Sequence, residues 1–159
     1  MSARRGWRRA PVAVAAGVAL LTALLGGAVT DVGPWYQALK QPAWKPPDFL
    51  FGPAWTLIYT LTAWAAVRCW DAAPDAAARR AVLRDFGLNA GLNLAWSVIF
   101  FGLRRPDWAL VEVVLLWLSV AWLVGRSRRV PGCTLMLLPY LLWVAFAGAL
   151  NAAIVFPGA

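Results

Sequence analysis

Aromatic rings and side-chain amides recur at helical spacing within the apolar segments of this sequence, and they are its clearest candidates for chemistry. Residues three and four apart share one face of a helix. Each set therefore combines aromatic surfaces with a few hydrogen-bonding groups, and the convergence of three such sets favours a binding pocket. The alternative is that the amides only join helices to each other. The sets are Trp55, Tyr59 and Thr62; Asn89, Asn93, Trp96 and Phe100; and Tyr140, Trp143, Ala147 and Asn151.

Several kinds of catalytic and metal site are excluded by residues that the sequence lacks. It has no histidine, which removes the commonest metal ligand and the ordinary proton shuttle. A glycine-rich phosphate loop is also missing. Cys69 and Cys133 have no partners at metal-ligand spacing; we expect two buried thiols, with a disulfide between them as the alternative. The sequence therefore predicts no acid–base catalytic residues, no metal site and no required cofactor.

The composition indicates a membrane protein. Of the 159 residues, 62% are apolar and 14% are charged, whereas soluble domains are roughly 45–50% apolar and about 25% charged. The mean hydropathy is +0.64. The net charge is +8, but the arginines flank apolar runs. That placement fits determinants of membrane topology better than a nucleic-acid surface, so no nucleic-acid partner is predicted.

Five apolar runs predict an all-α integral membrane protein, a bundle of five transmembrane helices in a single domain over residues 12–156. The first run is uncharged and about 28 Å long as a helix, close to the roughly 30 Å hydrocarbon core. A cleaved signal peptide is the alternative for this run. The predicted segments are a basic tip at residues 1–11, spans at about 12–30, 53–70, 83–101, 108–124 and 134–156, and a Pro/Trp-rich loop at 31–52.

The distribution of basic residues predicts the orientation of the bundle. With five spans, eleven of the fifteen arginines and lysines lie on the side of the N-terminus and four lie on the other side. Cytoplasmic loops carry the excess of positive charge in inner membranes. The N-terminus is therefore predicted to be cytoplasmic if the protein resides in an inner membrane, with the Pro/Trp-rich loop on the outer face.

The Pro/Trp-rich loop has a composition that is unusual for a connection between spans. Four prolines fall between Pro42 and Pro53, and proline interrupts helical hydrogen bonding and extends the preceding residue. The same stretch and its flanks are rich in Trp, Tyr and Phe. A stiff aromatic segment of this kind predicts a lid or wall over a pocket.

Two further features within the spans carry alternative interpretations. Gly87 and Gly91 form a GxxxG pattern, which lets helices approach closely and marks a candidate homodimer interface. Glu112 is an acid about one turn into the fourth predicted span. We expect its side chain to extend to the nearby membrane interface, with a proton-relay role as the alternative.

Four segments, in this order, resemble the tryptophan-rich sensory protein or translocator protein family, which includes the peripheral-type benzodiazepine receptor. The segments are W-Y-x-x-L-x-x-P-x-W-x-P-P from Trp35 to Pro47, F-G-P-A-W-T-L-I-Y from Phe51 to Tyr59, L-N-L-A-W-S-V-I-F-F-G from Leu92 to Gly102, and P-Y-L-L-W-V-A-F-A-G-A-L-N from Pro139 to Asn151. The resemblance extends over nearly the whole chain, and it suggests a bacterial member.

This resemblance implies a five-helix bundle, commonly a homodimer, with a pocket open toward the first loop that binds porphyrins such as protoporphyrin IX. Trp55 and Trp143 match tryptophans that the family uses in porphyrin handling. One departure is that residues 152–159 contain no Tyr, Lys or Arg, so the sterol motif of mammalian members is not matched here. The predicted ligand-binding residues are Trp35, Tyr36, Trp44, Trp55, Asn89, Asn93, Phe100, Trp143, Phe146, Ala147 and Asn151.

Three functions follow as hypotheses. The first is a membrane receptor or regulator that binds, senses or transports tetrapyrroles. The second is an enzyme that degrades porphyrins in light and oxygen, in which Trp55 and Trp143 would be the reactive residues. The third is a dimeric membrane scaffold that binds sterol or lipid.

Overall fold

In a computed structural model that describes residues 3–158, and the side chains of residues 10–158, the chain folds into helices joined by short connections. No strand occurs within the described residues, so the all-α prediction is confirmed. A 3-10 turn at Asp48–Leu50 precedes α3, and a π-helical turn at Val98–Gly102 continues α4. The helices are α1 (Ala3–Val29), α2 (Pro34–Ala38), α3 (Phe51–Ala72), α4 (Ala76–Ser97), α5 (Pro106–Ser127) and α6 (Cys133–Val155).

The five long helices pack in a ring in the order α1, α3, α6, α5 and α4, with α4 returning to α1. An apolar cluster between α3, α5 and α6 forms the centre of the core; it includes Ile58, Leu116 and Val144. A second apolar cluster joins α3, α5 and α6 where α3 ends and α6 begins, and both free thiols, Cys69 and Cys133, lie in it. The core is therefore concentrated on one side of the ring, while α1 closes the other.

Within the described residues, four helical segments are long and apolar enough to cross a membrane: Ala10–Val29, Asp48–Ala72, Pro106–Ser127 and Cys133–Val155. α4 is as long as its neighbours, but three arginines and an aspartate occupy its first ten residues and lower its hydropathy. The fifth crossing therefore remains a prediction.

α4 begins earlier than the predicted third span. The predicted spans at 53–70 and 83–101 leave residues 71–82 as the connection between them, yet the helix starts at Ala76. The side chain of Asp75 accepts a hydrogen bond of 2.7 Å from the backbone N–H of Ala78, which caps the helix. The alanine-rich segment that follows has high helix propensity, so local propensity extends the helix through charged residues. α1 likewise includes residues 3–11 of the predicted basic tip; residues 1 and 2 lie outside the described chain.

The end of α4 also differs from the regular helix that was predicted through Phe101. The backbone N–H of Leu103 donates to the carbonyl of Val98 over 2.8 Å, and that of Arg105 donates to Ile99 over 3.0 Å. Arg104 has a positive φ of 55°, which ends the helix and lets the chain turn into α5. The widened turn positions two consecutive rings, Phe100 and Phe101, beneath α2.

The Pro/Trp-rich loop is irregular apart from α2 and the 3-10 turn, and it is cross-linked by its own polar groups. The Gln41 amide donates to the carbonyl of Tyr36 over 2.7 Å, and the Gln37 amide donates to Asp48 over 3.2 Å. Lys45 forms an ion pair with Asp48. These bonds and the fixed proline backbone hold the loop in one shape across one end of the bundle, here called the loop end. The other end, which holds the start of α1, is called the N-terminal end.

Candidate ligand-binding site

The first half of the loop docks on the π-helical turn through aromatic contacts. The Trp35 ring meets Phe100 edge-on with centroids 5.9 Å apart, and Tyr36 lies 5.7 Å from Phe101. Phe100 in turn stacks on Trp96 at 5.2 Å. Such distances are typical of aromatic pairs. Tyr36 and Phe100 are buried by these contacts, so α2 is packed against α4.

The second half of the loop leads into a chain of rings on α3 and α6. Trp44 contacts Phe146 at 5.8 Å, and Phe146 contacts Trp143 at 5.6 Å. Trp143 then meets Trp55 at 6.3 Å in a T-shaped pair. Ala147 lies one helical turn after Trp143 and is half-buried. The predicted aromatic residues therefore do assemble at the loop end, where they pack against each other.

Lys45 of the loop is paired with Asp48 and also contacts Tyr36. The Lys45 ammonium lies 3.5 Å from the Tyr36 hydroxyl and 4.9 Å from the centre of its ring, in addition to its ion pair with Asp48. Burial raises the pKa of the Tyr36 phenol against the opposing effect of Lys45. Burial also tends to lower the pKa of Lys45, but its bonds to Asp48 and Tyr36 outweigh this and raise it. The Lys45 ammonium therefore stabilises the loop through its contacts with Asp48 and Tyr36.

The predicted amides join helices in the middle of the ring. The Tyr59 hydroxyl donates to Asn93 Oδ1 over 2.7 Å, and Asn93 Nδ2 donates to the Tyr140 hydroxyl over 3.2 Å, which links α3, α4 and α6. Asn89 donates to Ser119 of α5 over 2.8 Å. Asn93 and Asn89 are both buried, so these amides do serve as helix-joining groups; a role in ligand binding stays a prediction.

Asn151 makes a comparable connection nearer the loop end. Its Oδ1 accepts from the Trp96 indole N–H over 3.3 Å, and its Nδ2 donates to the carbonyl of Pro106 over 2.8 Å. These bonds tie α6 to α4 and to the first residue of α5. Because both ends of the amide are occupied, Asn151 is a structural link between three helices.

A cavity of about 770 Å³, here called the interhelical cavity, lies between α1, α3 and α4. Small side chains leave this space open, among them Ala15 and Ala19 of α1 and Ala63 and Ala66 of α3. Its deep end is polar and is lined by Tyr59, Thr62, Asn89, Asn93 and Tyr140. Thr62 Oγ1 is buried and has no hydrogen-bond partner within the described residues. The site thus combines apolar walls with hydrogen-bonding groups at one end.

The interhelical cavity reaches the N-terminal end of the bundle. Pro11 near the start of α1, Trp70 near the end of α3 and Arg79 near the start of α4 line that rim. The Arg79 guanidinium lies 5.6 Å from the centre of the Trp70 ring. The resemblance implied a pocket open toward the Pro/Trp-rich loop, and this cavity lies toward the other end, because the aromatic rings fill the space beneath the loop.

Only part of the predicted set lines this cavity. Asn89 and Asn93 do, whereas the aromatic residues of the prediction, Ala147 and Asn151 do not. The residues of α1 were missed altogether. Ala15, Ala19 and Thr22 recur at intervals of four and three residues, and this small-residue face was the available signal. Trp55 lies directly behind a residue that lines the cavity, because its ring stacks on Tyr59 with centroids 5.4 Å apart.

Comparison with known proteins assigns the family. The sequence model of the TspO/MBR family matches residues 12–156. The chain belongs to this family. It is 39% identical over 124 residues to the tryptophan-rich protein TspO of Archaeoglobus fulgidus, which covers 78% of this chain and 80% of that protein. It is similar to protein CrtK of Rhodobacter capsulatus, with 36% identity over 138 residues and coverage of 80% and 81%.

The human translocator protein is 35% identical over 121 residues, covering 74% of this chain and 70% of that protein. Membership of the TspO/MBR family, together with the four apolar helices, makes this chain an integral membrane protein. The resemblance drawn from the four sequence segments is thereby confirmed.

Two in-span predictions have different outcomes in this TspO/MBR protein. Glu112 was expected to extend to the membrane interface, but its side chain is buried and neither carboxylate oxygen has a hydrogen-bond partner within the described residues. It lies on the face of α5 that packs into the ring, which explains the error.

Gly87 and Gly91 are exposed, and a Cβ at either position would meet nothing within 4 Å. The homodimer interface at these glycines stays a prediction.

Proposed function

We propose that this TspO/MBR protein is a membrane receptor or regulator that binds tetrapyrroles such as protoporphyrin IX in the interhelical cavity. The observation that carries the proposal is the cavity itself: about 770 Å³ between three helices, apolar along its walls and polar at its deep end. Ligand cavities of about 300–1,000 Å³ with a few polar groups are typical of small-molecule sites. A relative named translocator protein supports transport as one way of handling the ligand.

The chemistry of the cavity suits an amphipathic macrocycle. Alanine and valine side chains offer a smooth apolar surface to a flat ring. The Thr62 hydroxyl is buried without a hydrogen-bond partner in the described part of the chain, which costs about 1–3 kcal/mol in a folded protein. A polar ligand atom near it would recover part of that cost. At the rim, Arg79 is positioned to pair with a ligand carboxylate, and the guanidinium group suits bidentate binding of carboxylates.

Filling the cavity from α1 tests the site. We expect Ala19→Phe, which puts a ring into the cavity, to weaken protoporphyrin IX binding at least tenfold, which is about 1.4 kcal/mol. Ala16→Phe is the matched control, because Ala16 lies on the exposed face of the same helix. Binding is measured by tryptophan quenching and porphyrin absorbance in lipid nanodiscs. Equal affinities for both variants and the wild type would rule out this cavity as the site.

A second function is favoured by one contact. Trp55 stacks on Tyr59 at 5.4 Å, and Tyr59 lines the interhelical cavity, so an indole lies one ring away from a bound porphyrin. This arrangement supports the alternative of porphyrin degradation in light and oxygen. Product formation under illumination, compared with a dark control, tests it. An unchanged rate in both Trp55→Phe and Trp143→Phe would argue against a role for these indoles.

We also propose that α4 with its π-helical turn is the fifth crossing. From Phe86 to Gly102 it contains 17 residues without a charge, about 25 Å of helix. Its arginines then lie at headgroup level, and Asp85 is paired with Arg84. Labelling of Arg80→Cys and Leu103→Cys, each made in a chain whose Cys69 and Cys133 are replaced by serine, with a membrane-impermeant reagent tests this. Labelling of both from the same side would contradict the crossing, and labelling of Arg80→Cys from the cytoplasmic side would support the predicted cytoplasmic N-terminus.

The exposed glycines support a homodimer through α4. Gly91 has open space around it, so a second helix can approach its backbone closely. We expect Gly91→Leu to shift the protein toward monomer in cross-linking experiments, and Gly17→Leu on the exposed face of α1 to leave the oligomeric state unchanged.

A further inference from the structure

A second cavity, here called the arginine cavity, lies at the N-terminal end on the α5 side of α4. Its volume is about 570 Å³, and it is bounded by the end of α3, the first turns of α4, the end of α5 and the connection to α6. Arg126, Arg128 and Arg129 line it together with a single acid, Asp85. The family resemblance and the proposed porphyrin site do not use these residues.

The single carboxylate in the arginine cavity is already neutralised. Asp85 is buried; its Oδ1 lies 2.8 Å from Arg84 Nη2 and its Oδ2 lies 3.5 Å from Arg126 Nε. The Trp122 indole N–H donates to the same carboxylate over 3.1 Å. Asp85 therefore fixes Arg126 in place, and its charge is not available to other cations.

Arg128 and Arg129 make no ion pair within the described part of the chain, and both are exposed. The lining holds three guanidinium groups against one carboxylate, a net charge of +2. The ends of α3 and α5 add only about half a negative charge each, and the start of α4 adds about half a positive charge. The cavity therefore stays positive and suits an anion.

The floor of the arginine cavity is apolar. Phe86 of α4, Leu123 of α5 and Val130 after α5 line its inner part, while the arginines surround its outer part at the level where the apolar helices end. This order, cationic outside and apolar inside, matches an amphiphile in a membrane: a phosphate at headgroup level with acyl chains below it. Basic pockets between transmembrane helices bind anionic headgroups in this way.

We propose that the arginine cavity binds the phosphate of an anionic phospholipid headgroup, with Arg128 and Arg129 as the phosphate ligands. The two cavities share Val82 and Phe86 of α4, but Arg128 and Arg129 line the arginine cavity and not the interhelical cavity. A test made through these two arginines is therefore independent of porphyrin binding. A free phosphate ion shares the headgroup's charge but has no acyl chains to contact Phe86 and Val130, the partly exposed apolar residues of the lining. The lipid is therefore expected to bind much more tightly.

Native mass spectrometry of delipidated protein in detergent tests this with two lipids of equal chain length, phosphatidylglycerol and phosphatidylcholine. We expect phosphatidylglycerol to bind the wild type more tightly and the double variant Arg128→Gln/Arg129→Gln to lose roughly 25-fold in affinity, about fivefold for each guanidinium. The charge-matched control is Lys40→Gln/Arg80→Gln, which removes two exposed cations outside the cavity and should bind like the wild type.

Three outcomes would overturn the proposal. Equal affinity for the two lipids would exclude recognition of an anionic headgroup. An equal loss in the control variant would show that overall charge, and not the cavity, governs binding. Displacement of phosphatidylglycerol by millimolar inorganic phosphate would assign the site to a soluble anion. Circular dichroism of each variant verifies that the helices are intact, so a loss of binding is not a loss of fold.

Discussion

The two ends of this bundle are packed differently: large aromatic rings fill the loop end, and small side chains leave a cavity toward the N-terminal end. At the loop end, large rings pack in pairs with centroids 5 to 6 Å apart, as Trp35 does with Phe100 and Trp143 with Phe146, and they close the space beneath the loop. At the N-terminal end, alanines on α1 and α3 leave a cavity of about 770 Å³. An abundance of aromatic residues therefore marks the well-packed end, while small residues mark the open one.

The comparison also separates two uses of polar side chains inside the bundle. Asn93 lies where the two regions meet, and both its amide oxygen and its amide nitrogen are hydrogen-bonded, to Tyr59 and Tyr140 respectively. Thr62 lines the same cavity and its hydroxyl has no partner among the described residues. The first kind of group stabilises the empty protein, whereas the second is available to a ligand. Four substitutions test this division, in order of decreasing effect.

The largest effect is expected at Trp55 of the aromatic cluster. Its ring contacts Tyr59, Tyr140 and Trp143, so Trp55→Ala leaves a large void and should lower the free energy of unfolding by about 3 kcal/mol. Trp44→Ala is the matched control within the same cluster; Trp44 is 53% exposed, and we expect a loss of about 1 kcal/mol or less. Unfolding in mixed micelles measures both. Similar losses would show that the cluster is not packed as described.

The second effect concerns the engaged amide. Asn93→Ala removes two hydrogen bonds that join three helices, and each such bond in a membrane protein contributes about 0.6 kcal/mol and at most about 1.7. We expect a loss of about 1–2 kcal/mol of stability without ligand. Asn89→Ala breaks one bond, to Ser119, and should cost about half as much. The same unfolding assay applies, and an equal cost for the two would contradict the network.

Much of this division between the two ends could be predicted from the sequence. What could not be predicted depends on contacts between residues far apart in the chain. Apolar runs predicted α1, α3, α5 and α6 because helix formation and membrane insertion depend on local composition. The spacing of Asn89 and Asn93 placed both amides on one face of α4 and indicated that this face points into the bundle, because polar groups are costly in the lipid. The interhelical cavity depends on small residues from distant segments, such as Ala19 of α1 and Ala66 of α3, lining the same space, and no local pattern encodes which segments come together.

The π-helical turn at Val98–Gly102 could not be predicted from the sequence either. It brings Phe100 and Phe101 against Trp35 and Tyr36, residues some 65 positions earlier in the chain. Turns of this kind occur mostly as single interruptions of a helix at functional sites. Their formation depends on what the helix packs against, so composition and periodicity predicted a regular helix here.

The third effect distinguishes ligand binding from stability. Thr62→Val keeps the shape of the side chain and removes a hydroxyl without a partner, so we expect the stability of the empty protein to be unchanged or slightly higher. Porphyrin affinity should fall about fivefold, which corresponds to about 1 kcal/mol. Thr60→Val is the control, because Thr60 is exposed and bonds the carbonyl of Thr56. A loss of stability with unchanged affinity would place Thr62 among the structural groups.

The smallest effect concerns the charges of the loop. The pKa values of Lys45 and Tyr36 are both raised in the folded protein, so folding favours their protonated forms. Their contribution is complete below their ordinary pKa values of about 10.4 and 10 and is lost as the pH rises through the raised values. We expect a near-UV circular dichroism signal of the loop that is constant from about pH 7 to 9 and falls above about pH 10.5.

Lys45→Met should weaken this signal already at neutral pH, because Asp48 loses its ionic partner, while Lys40→Met should not, because Lys40 is exposed and has no ion pair within the described residues. The change in stability should be at most about 1 kcal/mol, the usual contribution of a partly exposed ion pair. If Lys45→Met left both the signal and its pH dependence unchanged, the loop would be held by its aromatic contacts alone, and the loop end would differ from the N-terminal end only in side-chain size.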